Sequence, residues 1–232
     1  MARRTMVQSQ LFWNDAQYGA GALVYDATLT GTRVDIANNH ALSAGGGLYG
    51  HQRARIELDH SSIYRNEAVT GGGGIYTTSL AYLDNVSVWE NTARYGAAIR
   101  ATGGSSFVFG NNVGIADNVS PLWIGDGIEA TRARFRNSII ERNHADCSPG
   151  VSSIGNVVSP DPACLAGGAA GNVLAPAQTT ASFIGAGVVL QIAATSPALD
   201  AGDDATCEPD DQRFVARPMG AACDAGAYER EI

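Results

Sequence analysis

The chain has 232 residues, a net charge of −8, an isoelectric point near 4.9 and a mean hydropathy of −0.05, and all 15 of its cations are arginine. The acidic balance and the scatter of those arginines exclude a phosphate-tracking nucleic-acid surface, and no apolar run reaches the roughly 18 residues of a membrane span. With 28 glycines, 45% hydrophobic and only 16% charged residues, the chain has material for a core but not the pattern of long amphipathic helices, so one elongated domain is expected.

At the N-terminus Arg3 and Arg4 are not followed by an apolar stretch, because Gln8, Ser9, Gln10, Asn14 and Asp15 interrupt it, so no secretion signal is visible. Gly19-Ala20-Gly21-Ala22-Leu23 then opens a unit that recurs. The phrases Ile36-x-x-Asn39-x-Ala41, Ile63-x-x-Asn66-x-Ala68, Val88-x-x-Asn91-x-Ala93, Ile115-x-x-Asn118-x-Ser120 and Ile140-x-x-Asn143-x-Ala145 set their asparagines 27, 25, 27 and 25 residues apart. Six residues before each asparagine stands a polar residue, namely Arg33, His60, Asn85, Asn112 and Asn137. After the first four asparagines a glycine turn enters an apolar strand, at Gly45-Gly46-Gly47-Leu48, Gly72-Gly73-Gly74-Ile75, Gly96-Ala97-Ala98-Ile99 and Gly125-Asp126-Gly127-Ile128.

Each period offers three short runs of strand character: the Gly-Ile/Leu run, an alternating run such as Ile56-x-Leu58 or Phe107-x-Phe109, and the Ile/Val-x-x-Asn run. These runs are too short for independent sheets, but a period near 25 lets each strand pair with its equivalent one coil away while inward residues stack into a continuous core. The pattern predicts an all-β, right-handed parallel β-helix of about five coils over residues 1–145. A disulfide-bearing cap is expected over 146–232, with Val188, Val189, Leu190 and Ile192 covering the last coil. Glycine suits the corners that need positive φ, and stacked asparagine amides can bond along the axis. Neither a leucine-rich consensus nor a propeller period is present.

Residues of one repeat column stand about 4.8 Å apart on adjacent coils. The column just before each asparagine reads Asn38, Arg65, Glu90, Asp117, Arg142, which makes Glu90 and Asp117 neighbours with an arginine beyond each. Such a pair is spaced for retaining glycoside hydrolysis, yet flanking arginines favour the ionised form of both, which fits a charge ladder and not a general acid. The preceding column holds Tyr64 and Trp89, expected to stack on the outer wall, either as a sugar-binding platform or as a cross-strand pair. These four residues are the candidate carbohydrate contacts. No catalytic or cofactor-binding residue is assigned, and no cofactor is expected.

Four cysteines, Cys147, Cys164, Cys207 and Cys223, all lie in the last 86 positions without a CxxC pair, which favours two disulfides over zinc and points to an oxidising compartment. The acidic run Asp200, Asp203, Asp204, Glu208, Asp210 and Asp211 could offer oxygens to Ca²⁺, but it lacks the spacing of known calcium loops and reads as a solvated loop. His40, His51, His60 and His144 do not gather into a metal triad, and the sequons at Asn85 and Asn118 fall in asparagine-rich turns.

Two resemblances follow from these motifs. The GGGL and GGGI turns, with Phe109-Gly110-Asn111-Asn112, resemble the repeats of polymorphic outer membrane proteins over roughly residues 19–145. The tail is similar to the choice-of-anchor Q domain of bacterial surface β-helix proteins, through Ser196-Pro197-Ala198-Leu199-Asp200-Ala201-Gly202, Asp211-Gln212-Arg213, Arg217-Pro218 and Cys223-Asp224-Ala225-Gly226-Ala227-Tyr228-Glu229. Phe214 stands where that pattern has Gly, and Ala225 where it has Ile. The resemblance implies a secreted or cell-surface module of adhesive or structural type, with a polysaccharide or another surface protein as partner and any sorting anchor outside this fragment. The pairings Cys147–Cys164 and Cys207–Cys223 are expected because each closes a local loop in that tail, with other pairings open. The alternative reading is a polysaccharide lyase or glycoside hydrolase on the same fold, by fold analogy.

Overall fold

The computed structural model describes residues 2–121, 127–143, 145–184 and 187–231. The expected corner at Gly125 and Asp126, and His144, lie outside the described residues. The chain winds as a parallel β-solenoid. Its first coil contains β1 (Ala2–Phe12), β2 (Asp15–Tyr18) and β3 (Ala22–Tyr25), and its second β4 (Ala27–Ala37), β5 (His40–Ala44) and β6 (Leu48–His51). The third has β7 (Arg55–Tyr64), β8 (Glu67–Gly71) and β9 (Ile75–Thr77), and the fourth β10 (Leu80–Trp89), β11 (Thr92–Tyr95) and β12 (Ile99–Ala101). From the fifth coil the long strand is split, giving β13 (Phe107–Asn111), β14 (Gly114–Ala116) and β15 (Ile128–Ala130), then β16 (Ala133–Arg136) and β17 (Ile139–Glu141).

In the first four coils the alternating run and the Ile/Val-x-x-Asn run are therefore two arms of one strand, and only from the fifth coil are they the two strands expected. The bend between the arms is a left-handed residue in every coil, at Gln8, Arg33, His60, Asn85, Asn112 and Asn137 (φ 46–56°). A further strand follows Asn14, Asn39, Asn66 and Asn91 as β2, β5, β8 and β11, forming a sheet of its own. It is hard to read from sequence because its inward face is a single small column, Ala41–Ala68–Ala93. Glycine corners at Gly19, Gly45, Gly72 and Gly96 (φ 53–70°) lead into the third sheet, β3–β6–β9–β12–β15.

The inward columns build the core. Ile36, Ile63, Val88, Ile115 and Ile140 stack on one wall, and Leu48, Ile75, Ile99 and Ile128 on another, all fully buried. Where a column does change size, small meets large, as close packing requires. Phe135 fills the space above Gly110, where a Cβ would overlap its ring.

Parallel pairing does not stop at residue 145. It continues through β18 (Val151–Gly155), β19 (Val158–Ser159) and β20 (Val173–Leu174). Between β19 and β20 a 3₁₀ turn, Pro162–Leu165, is capped by Asp161 and contributes Cys164 to the core, with Ala163 and Leu165 packed against it. The Cys147–Cys164 disulfide ties this turn to the last coil. The end cover is thus this turn, and Val188, Val189 and Leu190 do something else. They lie on β22 (Gly187–Gln191), which pairs antiparallel with β21 (Thr180–Ile184), and the hairpin packs sideways against β7, β10 and β14.

Candidate functional site

The residues singled out for sugar contact fall on two adjacent columns with different fates. Glu90 and Asp117 occupy a second series of left-handed corners, with Trp13, Asn38, Arg65 and Arg142 (φ 48–59°). They are neighbours on consecutive coils, but each faces an arginine: Arg65 Nε donates to Glu90 at 2.8 Å, and Arg142 donates to both Asp117 oxygens at 2.9 and 2.8 Å. Trp89 Nε1 adds a bond to Asp117 at 3.2 Å. The column is a charge ladder, with the carboxylates pulled apart toward opposite ends.

Tyr64 and Trp89 are not an exposed platform. They are only 5% and 7% accessible, because the β21–β22 hairpin lies over them with Val188 and Leu190 and sets the Phe183 ring edge-on at 5.9 Å from each. The same column ends in Glu141, which is fully buried. It accepts the backbone N–H groups of Gln178 (3.0 Å) and Thr179 (2.8 Å), the Thr179 hydroxyl, and Arg142. This column is where the tail is fastened, and the Phe183 that covers Tyr64 and Trp89 lies 119 and 94 residues further along the chain.

The left-handed column six residues before each asparagine has a matching purpose. The tail crosses the coils along it in reverse order. Asn156 Nδ2 donates to Ala201 O, Asn137 Oδ1 accepts Asp203 N, Asn112 Oδ1 accepts Glu208 N, Asn85 Nδ2 donates to Asp210 O, and His60 Nε2 meets Asp210 Oδ1 at 3.0 Å. Gln212 penetrates further, donating to Ser61 O, Ser62 Oγ and Val188 O and accepting from Ser87 Oγ. Beneath this strap Arg217 and Glu229 form a buried ion pair at 3.0 Å, and Asp211 accepts the N–H groups of Arg213, Val215 and Glu229. The Cys207–Cys223 disulfide closes the loop that carries these contacts.

The acidic run is largely used in the same way, as acceptors of N–H donors. Asp204 takes Cys223 N, Asp200 takes Ala222 N, and Glu208 takes the Asn111 amide. Among the described residues no group of three or more acidic, histidine or cysteine side chains is arranged to hold a metal ion. His40 meets Asp15 and His51 meets Thr78, on separate sheets. The sequon asparagines Asn85 and Asn118 are both fully buried.

Two concavities open beside the strap. One, of about 260 Å³, lies over the first arms and includes Glu57, Asp59, Tyr82 and Asp84. Asp59 and Asp84 are in register on β7 and β10. Burial, then the nearby Glu208 and Asp59 carboxylates, push Asp84 up to about 7, with Arg136 and His60 opposing. His60 is pulled both ways: burial would lower its pKa, but Asp59 at 2.6 Å and Asp210 at 3.0 Å outweigh it and raise the value. The other, of about 320 Å³, lies between the second arms, the hairpin and the loop after Gln212, and includes Arg33, Asp35 and Phe214. Nothing in the sequence periodicity marks the second, since it needs the hairpin and the loop after Gln212 as walls. No protein-family model, curated protein or solved structure matches the chain.

Proposed function

We propose that the chain is a non-catalytic β-solenoid module, secreted or displayed on a cell surface, that serves adhesion, display or spacing. The observation that carries this reading is the use of the recurring polar residues: asparagines bond along the axis, corner residues hold the tail, and Glu90 and Asp117 pair with arginines. Two disulfides fit an oxidising compartment. The tail motifs similar to the choice-of-anchor Q domain are a self-docking network of the kind an extracellular terminal module needs. A glycan-array screen of the oxidised chain, with product detection on the same polysaccharides, tests the reading. Binding without released or unsaturated sugars supports it, and released sugar overturns it. Glu90→Gln and Asp117→Asn should leave binding unchanged.

A carbohydrate-active enzyme is the second reading, favoured by one observation. Asp59 and Asp84 stand side by side in an open groove, and Asp84 keeps its proton near neutral pH. Neighbouring carboxyls, one of them with its pKa raised by burial, are what retaining glycosidases need. On this reading Asp84→Asn abolishes product release, whereas an unchanged rate rules the pair out.

A further inference from the structure

Arg33, at the bend of β4, and Phe214, in the loop after Gln212 and Arg213, both hold a left-handed backbone, at φ 56° and 69°. At Arg33 it is the bend common to the coils, but Phe214 lies outside the repeat, and there strain of this kind persists where the side chain is needed. At Phe214 it sets one ring between two basic side chains. The Arg33 guanidinium carbon is 3.9 Å from the ring centroid, and the His60 imidazole stacks on the ring at 4.1 Å. His60 faces the carboxylates of Asp59 and Asp210, but Arg33 has no acidic partner among the described residues.

Ring and guanidinium form one wall of the 320 Å³ pocket. Asp35 lies in the same pocket, its carboxyl bonded to Ser62 and met by no cation among the described residues. Burial raises its pKa while the Ser62 bond lowers it, with a net rise, so the carboxyl gains from any added donor. Gly187 borders it on the hairpin side, where a Cβ would overlap Asp35 Oδ1. Val189 supplies an apolar side, and Ile184 and Phe214 stay 46% and 42% exposed at the rim. A carboxyl without a cation, a guanidinium without an anion, and an apolar rim are complementary to a neutral polyol. An anion would meet Asp35, and a cation would meet Arg33. The volume is at the small end of ligand pockets, which run from about 300 Å³ upward, and suits one ring.

We propose that this pocket binds a single hexose-sized sugar, with Asp35 accepting adjacent hydroxyls, Arg33 donating to a further oxygen, and Ile184, Val189 and the edge of Phe214 covering its C–H face. The inference rests on the adhesion reading and names its ligand class. Free hexoses are titrated against the full oxidised chain, Asp35→Asn and Phe214→Gly, using ligand-observed NMR, with melting curves and circular dichroism on each variant. One or more hexoses should bind with Kd on the order of 1 mM. Asp35→Asn should weaken binding at least about tenfold while keeping its fold. Phe214→Gly should lose binding with a melting temperature equal to the parent's or higher, because glycine removes the strain, whereas a purely structural ring would lower it. No hexose binding, or equal binding by a folded Asp35→Asn chain, overturns the pocket. If the array still shows glycan binding in that case, the adhesion reading stands without the pocket. Hexose binding lost in Asp35→Asn, with a blank array, keeps the pocket and removes the adhesive role.

Discussion

Asn91 shows how much one repeated side chain does. Its oxygen accepts both the backbone N–H and the side-chain amide of Asn66, each at 3.0 Å, and its own amide donates to Ile63 O and to Asn118. The same pattern runs from Asn14 through Asn39, Asn66, Asn91, Asn118 and Asn143, where it ends on Asp146. Asp146 suits that end because a carboxylate accepts the two N–H groups of Asn143, at 2.8 Å each, and passes nothing on. Asn91→Ala strands two donors of Asn66 and one carbonyl in the interior, and should cost about 3 kcal/mol in chemical denaturation. Asn14→Ala, at the exposed end, should cost under about 1 kcal/mol by the same assay. The ladder was legible from spacing alone, since only a fixed register keeps one residue type every 25 to 27 positions. The corner residues Arg33, His60, Asn85, Asn112 and Asn137 were legible as polar but not as partners of the tail.

The decisive element is the strap of residues 200–229 with the hairpin beside it. Three of its titratable contacts favour protonation: His60 is raised by Asp59 and Asp210 despite burial, and burial lifts Asp84 to about 7 and Asp224 to about 6. The folded state therefore binds protons more tightly than the unfolded chain. The carboxyl contributions are fully present below about pH 4 and are lost as pH rises through about 6 and 7, and that of His60 is lost as pH rises through its raised pKa, so stability should fall by on the order of 2 kcal/mol or more between pH 5 and pH 8. Denaturation midpoints across that range test this, and Asp84→Asn should flatten the slope by raising stability at pH 8 alone. Opening the second disulfide with Cys207→Ala and Cys223→Ala, a separation of 16 residues, should cost about 3 kcal/mol. It should also speed hydrogen exchange at Asp203 and Glu208, which bond to Asn137 and Asn112, while the amides of Asn39 to Asn118 stay protected. Equal protection of both sets would mean that the strap holds without its disulfide. The cysteine pairing was legible because each bridge is local. The lateral seat of β22 was not, because its apolar run fits an end cap and a side wall equally well.

At the scale of the whole molecule the two ends of the solenoid differ. The C-terminal end is covered by the 3₁₀ turn at Pro162–Leu165 and its disulfide. At the other end β1 pairs with β4 alone among the described strands, and its inward columns carry polar residues: Arg4 continues the column Leu29–Ile56–Ala81–Val108, and Ser9 stands in line with Val34. Inward-facing charge on an edge strand discourages further strand addition, the known hazard of such edges. Replacing both, Arg4→Leu with Ser9→Val, completes the apolar columns and should produce concentration-dependent association in sedimentation velocity. The parent chain should sediment as a monomer over the same range, and association of the parent would show that Arg4 does not protect the edge.

What the sequence determined by itself was the repeat: the parallel solenoid, its period, the glycine corners, the asparagine ladder and the inward columns. Each depends on residues one coil apart, and the axial stacking that joins them repeats at a fixed interval that can be counted along the chain. Only the tertiary structure decided which columns remain open. Tyr64 and Trp89 lie under the strands β21 and β22, Asp84 stands near Glu208, and the Arg33–Asp35 pocket exists because Phe214 is brought against it. Those contacts join residues 90 to 180 positions apart in a tail with no period, so no spacing announces them, and burial and pKa follow from where that tail lies.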